Sequence, residues 1–121
     1  MVAPGAFSWN SELPSGRNPF WIRDEALSGS GLHPGDAVSV DTRAEPQPGD
    51  LVVVEVDIDG DSLRTARRFL PAADERVRLE AVGSDLETLE LGADELIVMG
   101  VIAARLHFVA DGAPPLEEPI S

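Results

Sequence analysis

Lysine, cysteine and tyrosine are missing from all 121 residues. Without cysteine there is no disulfide framework, thiol nucleophile or thiolate metal ligand. Without lysine, chemistry that needs a side-chain amine is closed. Positive charge is scarce too: nine basic residues, all arginine, face 22 carboxylates, for a net charge of −13 and a pI near 4.3. That sign opposes binding to DNA or RNA phosphates and adhesion to anionic membrane surfaces. No apolar run approaches the roughly 20 residues of a membrane span. Met1 to Phe7 lacks the basic and long apolar regions of a secretory signal. The expectation is a soluble, cytoplasmic, acidic chain with no cofactor, no metal, no direct nucleic-acid contact and no membrane contact.

What is present reads as one globular β domain. Hydrophobic residues make up 43% and charged residues 26% of the chain, a balance that favours a packed core over disorder. Residues 1–19, with Pro4, Gly5, Pro14, Gly16 and Pro19, are expected to form an irregular lead-in that Phe7 or Trp9 could pin down. Residues 20–109 are the expected domain. Residues 110–121, with Pro114, Pro115, Pro119 and two glutamates, read as an irregular acidic tail.

Within the domain, Leu51–Ile58 (LVVVEVDI) is a β-branched strand. Asp59-Gly60 marks a tight hairpin, and Ser62–Phe69 is the returning strand. Val77–Val82 and Leu86–Leu91 follow as short strands around Gly83-Ser84. Leu96–Val109 (LIVMGVIAARLHFV) is a long strand, apolar on both alternating faces as far as Ala104. Such a strand is covered on both sides, the second time by its own sheet or by another subunit. Ile97, Met99, Val101, Ala103 and Arg105 share one of those faces and form the candidate interface. Pro34-Gly35-Asp36 and Pro48-Gly49-Asp50 repeat one tripeptide, each ahead of an apolar run. Each predicts a turn that launches a strand.

The order of these pieces resembles the C-terminal domain of the LexA/UmuD-type self-cleaving repressor family. The family signature runs V-x-G-[DM]-S-M, then [GT]-[IL]-x-[PD]-G-D, an apolar strand with [VI]-D, a second G-D-[IL]-V, and a strand ending x-V-K-[KR]-L. This chain reads Ile22-Arg23-Asp24-Glu25-Ala26-Leu27, then Leu32-His33-Pro34-Gly35-Asp36, Val40-Asp41, Gly49-Asp50-Leu51-Val52 and Arg64-Thr65-Ala66-Arg67-Arg68-Phe69. Ile97–Ile102 matches the last core strand. The resemblance covers about residues 20–109. It implies a mostly β fold of curled antiparallel sheets with a cleft, without the family's DNA-binding domain.

The family's chemistry does not follow the fold. In the gapless register the serine nucleophile falls on Ala26 and the lysine general base on Arg67. Alanine offers no nucleophile, and arginine stays protonated, with a pKa above roughly 12. Losing the nucleophile of a serine peptidase costs on the order of 10⁶ in turnover. No Ala-Gly or Cys-Gly pair, the bond such proteins cut, occurs in the sequence. Ser28 and Ser30, just past the lost position, are alternative nucleophiles with His33 or a carboxylate as base. Asp57, Asp59 and Asp61 suggest a calcium loop but lack its glycine and glutamate spacing. His107 stands alone on an apolar strand, which favours a structural or interface role over a metal. Arg67 is expected to neutralise Asp24 or Glu25 and fill the old cleft.

The sequence thus predicts a non-catalytic dimerisation or regulatory module. By resemblance its setting is the DNA-damage (SOS) response or repressor control. Its expected partners are a second copy, a catalytic relative or the RecA filament. The rival expectation is a divergent self-cleaving serine peptidase using Ser28 or Ser30.

Overall fold

The computed structural model describes residues 13–83, 85–110 and 113–120. Phe7, Trp9 and Ser84 lie outside these residues. The chain forms β1 (Asn18–Trp21), β2 (Ala37–Asp41), β3 (Leu51–Ile58), β4 (Asp61–Pro71), β5 (Arg76–Glu80), β6 (Leu89–Gly92), β7 (Leu96–His107) and β8 (Leu116–Pro119). Helical geometry among the described residues is limited to a 3-10 turn at Ser28–Ser30. Every pairing is antiparallel, in the order β1-β2-β7-β3-β4-β5-β6, with β8 added on β7. This is the all-β, curled antiparallel architecture expected from the sequence.

Both Pro-Gly-Asp tripeptides build the same device. Gly35 and Gly49 sit at φ of 95° and 91°, a region glycine enters without steric cost. The turns close through Asp36 N–H to His33 C=O and Asp50 N–H to Gln47 C=O, both at 3.0 Å. The aspartate then reaches back: its carboxylate accepts from His33 N–H at 2.9 Å in one turn and from Gln47 N–H at 2.8 Å in the other. The third residue of the motif is therefore a turn cap. At the hairpin, Asp59 takes φ 52° and β3 and β4 pair from Ile58↔Asp61 to Leu51↔Arg68.

β7 departs from strict alternation. Its register against β3 jumps from Val53↔Gly100 to Val54↔Val98, and against β2 from Ser39↔Ala104 to Val40↔Ile102. Met99 and Ala103 are the extra residues of two bulges, and each bulge exchanges the faces that follow. Leu96, Val98 and Val101 consequently share one face, packed with Val52, Val54, Val56 and Leu79. Met99 and Ile102 belong to the opposite core, with Ile22, Leu27, Leu32, Val38, Val40, Val53 and Ala66. Consecutive Val52, Val53 and Val54 thus feed two cores, each side chain contributing about 1.5–3 kcal/mol on burial.

The described parts of the expected lead-in and tail are more regular than composition suggests. Leu13 is buried with Ala37 and Leu106, and β1 begins inside the expected lead-in. Its Pro19 is tolerated because β1 is the outer strand of the sheet. Within the expected irregular tail, Leu116–Pro119 pairs with β7 from His107↔Leu116 to Ala104↔Pro119. An edge strand that ends in proline and carries one exposed glutamate, Glu118, beside the paired Glu117 has loop-like composition. Among the described residues no helix is long and apolar enough to cross a membrane.

β8 is pinned by Arg17, whose Nη1 donates to Glu117 Oε1 at 3.1 Å. Burial raises the Glu117 carboxyl, but the facing Ser15 and Ser39 hydroxyls and Arg17 outweigh it and hold the pKa below the ordinary value. A depressed folded value adds stability that is complete above the unfolded pKa, about 4.3, and is lost as pH falls through the folded one. Urea denaturation from pH 6 to 3 should show the advantage of the native chain over Glu117→Gln shrinking only in that acid window.

Candidate functional site

The segment between β1 and β2 is fixed from below. Leu27 and Leu32 are fully buried in the first core, which places Ala26 at 0% exposure. From above, the residues after β5 cross over it. Val82 N–H donates to Ala26 C=O at 2.6 Å, and Gly29 N–H donates to Val82 C=O at 2.7 Å. The crossing is close because Gly29 and Gly83 touch: a Cβ on Gly83 would lie 2.4 Å from Gly29 Cα. Val82 was expected at the end of a strand. It leaves the ladder because both its backbone groups bind this loop.

Beside Ala26 runs a chain of polar contacts. Ala26 N–H donates to Asp24 Oδ1 at 2.9 Å. The Thr65 hydroxyl donates to Asp24 Oδ2 at 3.1 Å and accepts from Arg67 Nε at 3.1 Å. Arg67 Nη1 donates to the Glu87 carbonyl at 2.9 Å. Thr65 and Arg67 lie two residues apart on β4 and so share a face. Arg67 is 6% exposed. Burial pushes its guanidinium below the ordinary value, and the Asp24 carboxylate opposes that shift. The remaining β4 arginines face outward, Arg64 to Glu55 at 3.5 Å and Arg68 to Glu80 at 2.6 Å.

Chemically this arrangement donates and holds. The side chain at 26 is a methyl group, and a guanidinium has five donors and no acceptor. The Ala26 amide, which could serve an oxyanion only if free, is bound to a carboxylate. Ser28 Oγ donates to the Gly83 carbonyl at 3.1 Å. Ser30 lines a separate hollow with Arg105, Glu118, Pro119 and Ile120. Among the described residues no imidazole or carboxylate hydrogen-bonds either serine. His33 instead lies 3.9 Å from Asp36 in its own turn.

The five β7 residues expected on one face are dispersed by the bulges. Ile97 is 62% exposed and stands opposite Glu55. Met99 packs against the first core and Val101 against the second, and Ala103 occupies the second bulge. Arg105 Nη2 donates to the Gly31 carbonyl, tying β7 to the loop that carries Ala26. His107 is exposed and faces Leu116 of β8.

Sequence reasoning singled out Ala26 and Arg67, and Arg67 does lie in the electrostatic reach of Asp24, while Glu25 is exposed. It missed Thr65 and the Glu87 carbonyl. The signal for Asp24 was in view, since it stands where the family signature has glycine.

An all-β antiparallel domain whose loop after β1 packs through Asp24 on Thr65 of β4 has the architecture of a peptidase-like class. Residues 5–103 match the family described as Peptidase S24-like. The chain belongs to this family, the LexA/UmuD type. It is also similar to the protein ImpA of Salmonella typhimurium, Shigella flexneri and Escherichia coli, 30% identical over 90 residues in each case. That similarity covers 73% of this chain and 58% of the length of those relatives.

Thr65→Val should leave Asp24 and Arg67 each short of a buried partner and cost about 1–3 kcal/mol. Thr65→Ser should keep most of that stability. Urea unfolding of the two variants checks this.

Proposed function

We propose that this chain is a non-catalytic member of its family, a dimerisation or regulatory module in the DNA-damage response or in repressor control. The observation that carries the reading is the Ala26–Asp24–Thr65–Arg67 network, which occupies the place of a nucleophile and base with groups that satisfy one another. Three positions of the family signature differ together here. Aspartate stands for glycine, alanine for serine and arginine for lysine, and each replacement answers another. The carboxylate answers the permanent cation and occupies the amide beside the lost hydroxyl. Partners of such a module are a second copy, a catalytic relative or the RecA filament, in the cytoplasm. Against self-cleavage through Ser28 or Ser30 stands the absence of a hydrogen-bonded base among the described residues.

Intact mass after long incubation at alkaline pH, with and without an activated RecA filament, tests the reading. The unaltered chain should remain whole. A discrete fragment abolished by Ser28→Ala or Ser30→Ala would overturn it. Cleavage should appear only when Asp24→Gly, Ala26→Ser and Arg67→Lys are combined and an Ala-Gly loop is supplied. The pair Ala26→Ser with Arg67→Lys should remain at least tenfold slower, because Asp24 still occupies the amide.

A further inference from the structure

β8 lies beyond residues 5–103, the stretch that matches the family. It covers the Ala104–His107 edge of β7 with four paired positions, so its hold depends on side-chain anchors. One is the Arg17–Glu117 pair, which ties it to the segment before β1. The other is Ile120, which packs against the first core. Between them lies a polar contact. The Ser39 hydroxyl is fully buried and faces the Glu117 carboxylate. The link from β7, residues 108–115, ends in Pro114-Pro115. Proline fixes its own φ and restricts the residue before it, so the approach to β8 is stiff. Val109, near the start of the link, and Leu116, just after it, are 58% and 56% exposed.

We propose that β8 is exchanged between two copies of this chain, each seating its Leu116–Ile120 segment on the Ala104–His107 edge of the other. The seat specifies its occupant. It needs a carboxylate opposite Arg17 and an apolar residue three positions later in the first core, as Glu117 and Ile120 supply. A second copy offers the same segment, so exchange keeps every contact that β8 makes within its own subunit. In an exchanged pair, Val109 and Leu116 of both copies can cover one another. Hinge segments that resist a close reversal promote this outcome. The proposal rests on the reading of the chain as an association module.

Two full-chain experiments decide it. Arg17→Glu and Glu117→Arg each place like charges together within one subunit. In a mixture of the two, exchange brings opposite charges together in both seats at once. Sedimentation should show several-fold more dimer in the mixture than in either variant alone, and equal association would overturn the exchange. His107 and Leu116 stand in register in a chain without cysteine. Oxidised His107→Cys/Leu116→Cys protein should therefore give a covalent dimer whose fraction rises with concentration and falls several-fold with Pro114→Ala. A sedimenting dimer that yields only internally linked single chains would overturn the exchange and leave the association module standing. A monomer at every concentration would overturn both the exchange and the pairing of two copies.

Discussion

A guanidinium buried in the wall of a small β domain constrains everything near it. Stripping such a charge of water costs several kcal/mol, roughly, unless acceptors replace the solvent. Arg67 finds them in Thr65 and the Glu87 carbonyl, with the Asp24 carboxylate one hydroxyl away. Each acceptor has a structural consequence. Asp24 bends the chain back onto the Ala26 amide. Glu87 gives its carbonyl to Arg67, and β6 begins only at Leu89, three residues later than the apolar pattern from Leu86 suggests. The space around Ala26 is therefore filled by these polar groups, and the loop crossing at Val82–Gly83 covers it from the other side.

β7 carries the opposite kind of constraint, apolar and geometric. A strand with one register can line only one core with each face. Two bulges let β7 serve the second core at Leu96, Val98 and Val101 and the first at Met99 and Ile102. Farther along, Arg105 reaches the Gly31 carbonyl, and Leu106 closes the small cluster with Leu13 and Ala37. One strand thereby couples the loop bearing Ala26 to the edge covered by β8. Change at that edge has a physical route to the filled cleft.

Much of this was legible in the residues and some was not. The turns could be read because their chemistry is local: Pro-Gly-Asp fixes φ, supplies the glycine and caps itself within four residues. The hairpin at Asp59-Gly60 and the strands flanking it follow for the same reason. Arg67 could be placed on the inner face because period-two alternation holds along β4. The bulges were invisible, since LIVMGVIAARLH is apolar on either phase and nothing in it marks Met99 or Ala103 as extra. β1 and β8 were hidden by prolines that an edge strand accepts and a central strand does not. Thr65 escaped notice because a threonine on a strand is ordinary until a buried cation is set beside it.

Charge shapes what such a module can meet. Seven of the nine arginines bind acceptors within the chain: Arg17, Arg64, Arg67, Arg68, Arg76, Arg78 and Arg105. Exposed pairs of this kind add little stability, about 0–1 kcal/mol each, but they occupy most of the positive charge. The outward field is left to the excess carboxylates. Two copies at −13 each repel at long range, and screening weakens that repulsion beyond about 10 Å at 0.1 M salt. Self-association of the proposed kind must then come from local contacts, which are backbone pairing at a strand edge, the Arg17–Glu117 pair and apolar cover. Salt should strengthen such a dimer, whereas it would weaken a complex with a basic partner. For a chain that pairs with itself as proposed, the same acidity makes ionic strength a control on that pairing.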